Sequence, residues 1–160
     1  MSEVGSLDRP GSRDDLYERD FYAWTRAQVR ALEKLAATRP NLELDLPHLI
    51  EEVRDLGSEQ LDELESAYRV LLLHLLKWKY QPEGRSGSWR GSIVEQRRRA
   101  LRLIRRNPGM KPKRQRLFAE AYEDARLQAA AETGLPLETL PETAPFTLEQ
   151  ALDEAFWPEP

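Results

Sequence analysis

The sequence predicts an all-α protein, a compact helical bundle with a long central helix and a short C-terminal helix. Three observations carry this prediction. Apolar residues recur at three- and four-residue spacing through long stretches of the chain. Proline and glycine punctuate the ends of those stretches, at Arg39-Pro40, Gln81-Pro82-Glu83-Gly84, Asn107-Pro108-Gly109 and Gly134. The one alternating segment, Asn41–Leu46, has no evident pairing partner and reads better as a loop than as a strand.

The first helix is expected from about Asp14, with Leu16, Phe21, Trp24, Ala27, Ala31, Leu32 and Leu35 on its apolar face, ending by Pro40. Pro47 opens the next, with Asp45 or Leu46 near its cap and Leu49, Ile50, Val53 and Leu56 as a buried stripe. Gly57-Ser58 is either a break or a close-packing point. From Glu59 to Tyr80, Leu61, Leu64, Tyr68, Leu72, Leu75 and Leu76 form one face, and Val70–Leu73 extends it around the cylinder, as befits a central helix. Ser86 or Ser88 begins a further helix. In it Trp89, Ile93, Gln96, Ala100, Leu103 and Ile104 lie opposite a polar arc of arginines. Arg90 and Arg97 fall on the apolar flank, where their stems can cover core while their heads find acidic partners. A helix from about Pro112 to Thr133 follows, ended by Gly134. Leu135, Leu137, Leu140 and Phe146 are expected to anchor the proline-containing segment after it. Thr147 and Gln150 then have capping-box spacing before a terminal helix containing Leu148, Ala151, Leu152 and Phe156.

The 160 residues suit one domain, expected over 14–160 behind a mobile leader at 1–13. The absence of cysteine excludes disulfides, thiolate nucleophiles and cysteine-based zinc sites. No signal-peptide core is evident, and the apolar patch Val70–Leu76 is far too short to span a bilayer, so no transmembrane association and a cytoplasmic location are expected. The net charge of -4 conceals an uneven distribution: residues 1–68 carry -8, residues 69–116 carry +13 and residues 117–160 carry -9. Regional fields matter more to a partner than the sum.

Several unusual combinations occur in one order: Tyr17-x-x-Asp20-Phe21-Tyr22-x-Trp24, Leu49-Ile50-Glu51-Glu52, and Leu71-x-x-His74-Leu75-Leu76-Lys77-Trp78-x-Tyr80-Gln81-Pro82. Arg85-Ser86-x-Ser88-Trp89-Arg90, Glu95-Gln96-Arg97, Ala121-Tyr122-x-x-Ala125-Arg126, Glu132-Thr133-Gly134-Leu135-Pro136 and Thr147-Leu148-Glu149-Gln150 follow. With these, the chain from about Tyr17 to Pro158 resembles a bacterial family known as domain of unknown function 29. The resemblance implies an all-helical fold and brings no reaction, cofactor or catalytic set. Many relatives carry Cys-Pro-Trp where this chain has Ala144-Pro145-Phe146, so its local chemistry cannot require that cysteine.

His74 and Trp78, four residues apart, share a helical face beside the turn bearing Gln81, Arg85, Ser88 and Trp89. One reading is a small polar pocket in which His74 exchanges a proton, Glu51 or Glu52 orients it and Arg85 or Arg90 holds an anion. The other, and the expected one, is a structural hydrogen-bond network closing two helices. His48 and His74 are 26 residues apart and form no metal motif, so neither metal nor cofactor is expected. Arg98, Arg102, Arg105, Arg106, Lys113 and Arg114 belong to a basic block that would suit anion or nucleic-acid binding through phosphates. An intramolecular or intersubunit contact with the acidic flanks competes with that reading. Trp24, Trp78 and Trp89 are placed to pack helices, whereas Trp157 would anchor a tail or meet a partner. The leading expectation is a structural or protein-interaction module without autonomous catalysis, with a homodimer or another protein as partner. Nucleic-acid or other polyanion binding through the 97–116 surface is the alternative.

Overall fold

A computed structural model of the chain describes residues 13–160. The leader expected at 1–13 therefore lies, except for Arg13, outside the described residues. The helices are α1 (Arg13–Arg19), α2 (Phe21–Thr38), α3 (Leu46–Tyr80), α4 (Gly87–Arg106), α5 (Arg114–Thr133) and α6 (Leu148–Leu152). Short 3-10 turns at Pro82–Gly84, Pro108–Lys113 and Leu137–Thr139 join them, and the described residues contain no strand.

The single first helix expected from periodicity is two. Asp20 separates them: its backbone leaves helical geometry (φ -155°) and its carboxylate accepts from Ala23 N at 3.0 Å. The neighbouring free amide, Tyr22 N, donates to Asn107 Oδ1 at 3.0 Å, so α2 starts with orphan donors satisfied from two directions. The face also differs from expectation. Tyr22 and Thr25 are the buried residues of α2, while Phe21 and Trp24 form a partly buried cluster with Tyr17.

The 35 residues of α3 run unbroken for about 52 Å. Asp45 caps the helix, accepting from His48 N, with Pro47 in the first turn. Gly57 is a close-packing point, not a break: a Cβ there would lie 2.5 Å from Thr25 Oγ1 of α2. Helices α2, α4 and α5 pack on α3, whose Leu64, Leu71, Leu72, Leu75 and Leu76 are fully buried. Each such side chain contributes on the order of 1.5–3 kcal/mol by burial. They meet Ile93 and Ala100 of α4 and Ala121, Tyr122 and Ala125 of α5.

The expected buried stripe at Leu49 and Leu56 is a correction, since both are exposed at 41%. The reason lies in the end of α4. Asn107, fully buried, donates to Gln60 Oε1 at 3.1 Å and to Leu103 O at 2.9 Å. Helix α4 thus stops level with Gln60, and the first part of α3 reaches beyond it.

Ser86 caps α4, its hydroxyl accepting from Trp89 N, and Gly134 ends α5 with φ 73°, a left-handed geometry that favours glycine. The segment after it is held to α5. Tyr122 Oη donates to Pro141 O at 2.6 Å, and Arg126 donates to Leu140 O and Leu137 O. Burial pushes the Tyr122 phenol up to about 12. The capping box of Thr147 and Gln150 forms as expected. However, α6 ends at Leu152 and Phe156 lies beyond it, edge-on to Phe146 at 6.0 Å.

Candidate functional site

The region around the α3–α4 turn receives the C-terminal tail. Trp78 near the end of α3 packs against Trp157, with ring centres 4.9 Å apart. Arg85, in the turn, lies 4.9 Å over Trp78, donates from Nε to Trp78 O at 2.8 Å and reaches Pro158 O at 3.4 Å. Arg90 stands 4.6 Å over Trp157 and 5.4 Å from Trp78, and Lys79 Nζ donates to Glu159 O at 2.8 Å. Cations thus sandwich indoles and bind main-chain oxygens of the tail.

Arg97 completes this clasp. Only 1% exposed, it donates to Ala151 O at 2.7 Å and Phe156 O at 2.6 Å. Its expected acidic partners are replaced by carbonyls. Burial lowers its pKa, while the nearby charges of Asp153 and Glu154 act in the opposite direction. Periodicity placed Arg97 on the apolar flank; its pairing with carbonyls 54 and 59 residues later has no local sequence signal.

The remaining residues of the expected polar centre are spread around this clasp. Gln81 caps α3 through its backbone N–H to Lys77 O, Ser88 is exposed, and Trp89 is half-buried beneath Lys77 Nζ at 4.6 Å. Gly84 leaves room for that indole, since a Cβ there would lie 2.6 Å from it. His74 turns back to its own helix, its Nδ1 donating to Val70 O at 2.8 Å, which leaves Nε2 as the acceptor in the neutral ring. Glu51 and Glu52 do not orient it. They lie on the same continuous helix, roughly 33–35 Å away along its axis. The nearby carboxylate is Glu132, whose pKa is lowered first by the hydrogen bond from Lys77 Nζ at 2.8 Å. Among the described residues, no group of three or more His, Asp or Glu is placed to hold a metal ion.

The basic block divides. Arg98, Arg102, Arg105 and Arg106 are exposed on α4. Arg98 approaches Glu154 at 3.8 Å; among the described residues, Arg102, Arg105 and Arg106 have no carboxylate within ion-pair distance. Lys113 instead lines a cavity between α2 and α3, and Arg114 is half-buried with its Nε lacking a hydrogen bond.

Two exposed stripes share one spacing. On α4, Val94, Arg98, Leu101 and Arg105 recur every four, three and four residues. On the first part of α3, Leu49, Glu52, Leu56 and Glu59 recur every three or four. Each stripe alternates apolar and charged residues, cationic on one helix and anionic on the other. Sequence periodicity found Leu49 and Leu56 but assigned them to the core, because the same spacing serves a buried face and an exposed seam.

A family model described as "Domain of unknown function DUF29" matches residues 16–157. No curated protein matches the chain. Among solved structures, an α-helical protein of unknown function from Rhodospirillum rubrum is similar, at 29% identity and a TM-score of 0.70, over 88% of this chain and 90% of that one.

Proposed function

Taking as premise that the chain belongs to the DUF29 family, we propose that it is an interaction module that associates with a second copy of itself through the two exposed stripes. The observation that carries this reading is their complementarity. Val94 and Leu101 stand seven residues apart among Arg98 and Arg105, and Leu49 and Leu56 stand seven apart among Glu52 and Glu59. Within one chain they do not meet, because α4 ends level with Gln60. Between two chains, the leucines and valine would form a narrow apolar seam flanked by opposite charges, the arrangement by which helices select partners. In a two-fold dimer the contact would be made twice.

A contact of this size is weak and sensitive to salt. Sedimentation velocity over a concentration series at low salt is expected to show reversible association that declines as salt is raised. Arg98→Glu with Arg105→Glu should abolish it, and so should Glu52→Arg with Glu59→Arg. Mixing the two reversed proteins should restore a complex. A monomer at every concentration, or no recovery on mixing, overturns the proposal.

Polyanion binding is a second reading, supported by Arg102, Arg105 and Arg106, which have no ion-pair partner among the described residues. It requires RNA or DNA to bind with steep salt dependence, and the Arg→Glu protein alone to lose it.

A further inference from the structure

A second basic feature lies on the opposite side of α3 from the acidic stripe. The cavity there, of about 360 Å³, opens between α2 and α3. Arg26 and Arg30 project into it from one face of α2, Arg54 from α3, and Lys113 from the turn before α5. Among the described residues, no acidic side chain lines it. Arg54 is partly compensated by Glu33, 3.0 Å away, but no carboxylate among the described residues reaches Arg26, Arg30 or Lys113 within ion-pair distance. Tyr22 and Leu61 provide apolar wall, and Ser58 provides a hydroxyl.

Like charges brought to one concavity repel, and here they come from three separate elements. Gly57 lets α2 approach α3 at the cavity wall, where a Cβ would collide with Thr25. An anion would relieve the repulsion and accept charge-assisted hydrogen bonds from guanidinium groups whose planar forks match phosphate oxygens. The volume is that of a small-molecule site.

We propose that this cavity binds the phosphate group of a small phosphate monoester, with the apolar portion of the ligand against Tyr22 and Leu61. Arg26 and Arg30 take the phosphate from α2, while Lys113 closes on it from the α5 side. The site is independent of the stripe on α4, and ligand occupancy does not require self-association.

The test titrates the full chain with phenyl phosphate, inorganic phosphate and phenol, read by calorimetry and by backbone amide shifts. Saturable phenyl phosphate binding is expected, with shifts centred on Thr25, Gly57 and Ser58. Arg30→Gln and Lys113→Gln should each weaken it about tenfold or more, while Arg116→Gln, a cation outside the cavity, should leave it unchanged. Weaker binding of inorganic phosphate supports an ester as the ligand; equal binding supports the same site occupied by free phosphate. Two results overturn the proposal: no saturable binding of either anion, or equal weakening by Arg116→Gln, which would mark diffuse attraction. Phenol binding as tightly as phenyl phosphate overturns it as well, because the cations would then contribute nothing. Amide spectra of each variant separate lost folding from lost binding.

Discussion

The guanidinium of Arg97 lies 5.3 Å from the centre of the Trp157 ring while donating to the carbonyls of Ala151 in α6 and of Phe156 beyond it. This draws the acidic C-terminal segment along α4 without spreading it over the arginines of that helix. Among the described residues, the one carboxylate within ion-pair distance of the exposed arginines of α4 is Glu154, at Arg98. The outer face of α4 therefore keeps most of its positive charge.

Replacing Arg97 should loosen the tail as well as lower stability. Arg97→Met keeps much of the apolar stem but leaves two carbonyls without their donor. The cost expected is on the order of 2–6 kcal/mol, from about 1–3 kcal/mol for each of the two buried acceptors left unpaired. Arg97→Lys, which retains the charge and fewer fixed donors, should fall between it and the parent protein. Urea unfolding gives the stability difference, and faster proteolysis after Asp153 gives the tail release. Unaltered proteolysis in Arg97→Met would show that Trp157, Arg85 and Lys79 hold the tail without it.

The approach of α2 to α3 at Gly57 is equally specific. Gly57→Ala would gain helix propensity, roughly 1 kcal/mol for glycine against alanine. Its Cβ would nevertheless stand 2.5 Å from Thr25 Oγ1, whose hydroxyl donates to Tyr22 O at 2.7 Å. Overpacking costs about 1–3 kcal/mol and should prevail. Thr25→Ala removes the colliding oxygen, so the double variant Gly57→Ala with Thr25→Ala should recover part of the loss. A thermodynamic cycle over the four proteins measures this coupling. Additive effects would mean the helices separate freely at this point.

Much of this architecture was legible in local chemistry. Proline, glycine and the Thr147–Gln150 box set helix ends, and the leucines from Leu64 to Leu76 marked α3 as central. Asp20 was not legible as a break, because apolar spacing runs across it and Asn107, which accepts from the amide of Tyr22 just after the break, lies 85 residues beyond Tyr22. Periodicity likewise could not separate the core face of α3 from its exposed stripe, since burial depends on where α4 stops. At the candidate site, Trp78 and Arg85 do meet, but the continuity of α3 past Gly57 carries Glu51 and Glu52 far from His74. The basic cavity was hidden in a different way. Arg26, Arg30 and Arg54 lie in the region of charge -8, and only the packing of α2 on α3 brings them to Lys113.

The start of α3 carries a pH-sensitive pair close to its acidic stripe. His48 Nδ1 meets Asp45 Oδ2 at 2.5 Å, while the Asp45 carboxylate also accepts from His48 N. The hydrogen bond from the imidazole, then that from the amide, holds the Asp45 carboxyl below its ordinary 3.8. The same side-chain bond, helped by the charges of Asp45, Glu51 and Glu52, holds His48 above 6.5. The contribution of Asp45 is fully present above pH 3.8 and is lost as pH falls through its lowered pKa. That of His48 is fully present below pH 6.5 and is lost as pH rises through its raised pKa. The pair therefore supports the helix start most fully between these two ordinary values. In Asp45→Asn, the cap acceptor remains but the charge is gone, so the His48 midpoint should move down towards about 6.5. A ring-proton NMR titration of the two proteins reads this directly, and coincident midpoints would show that Asp45 does not govern His48.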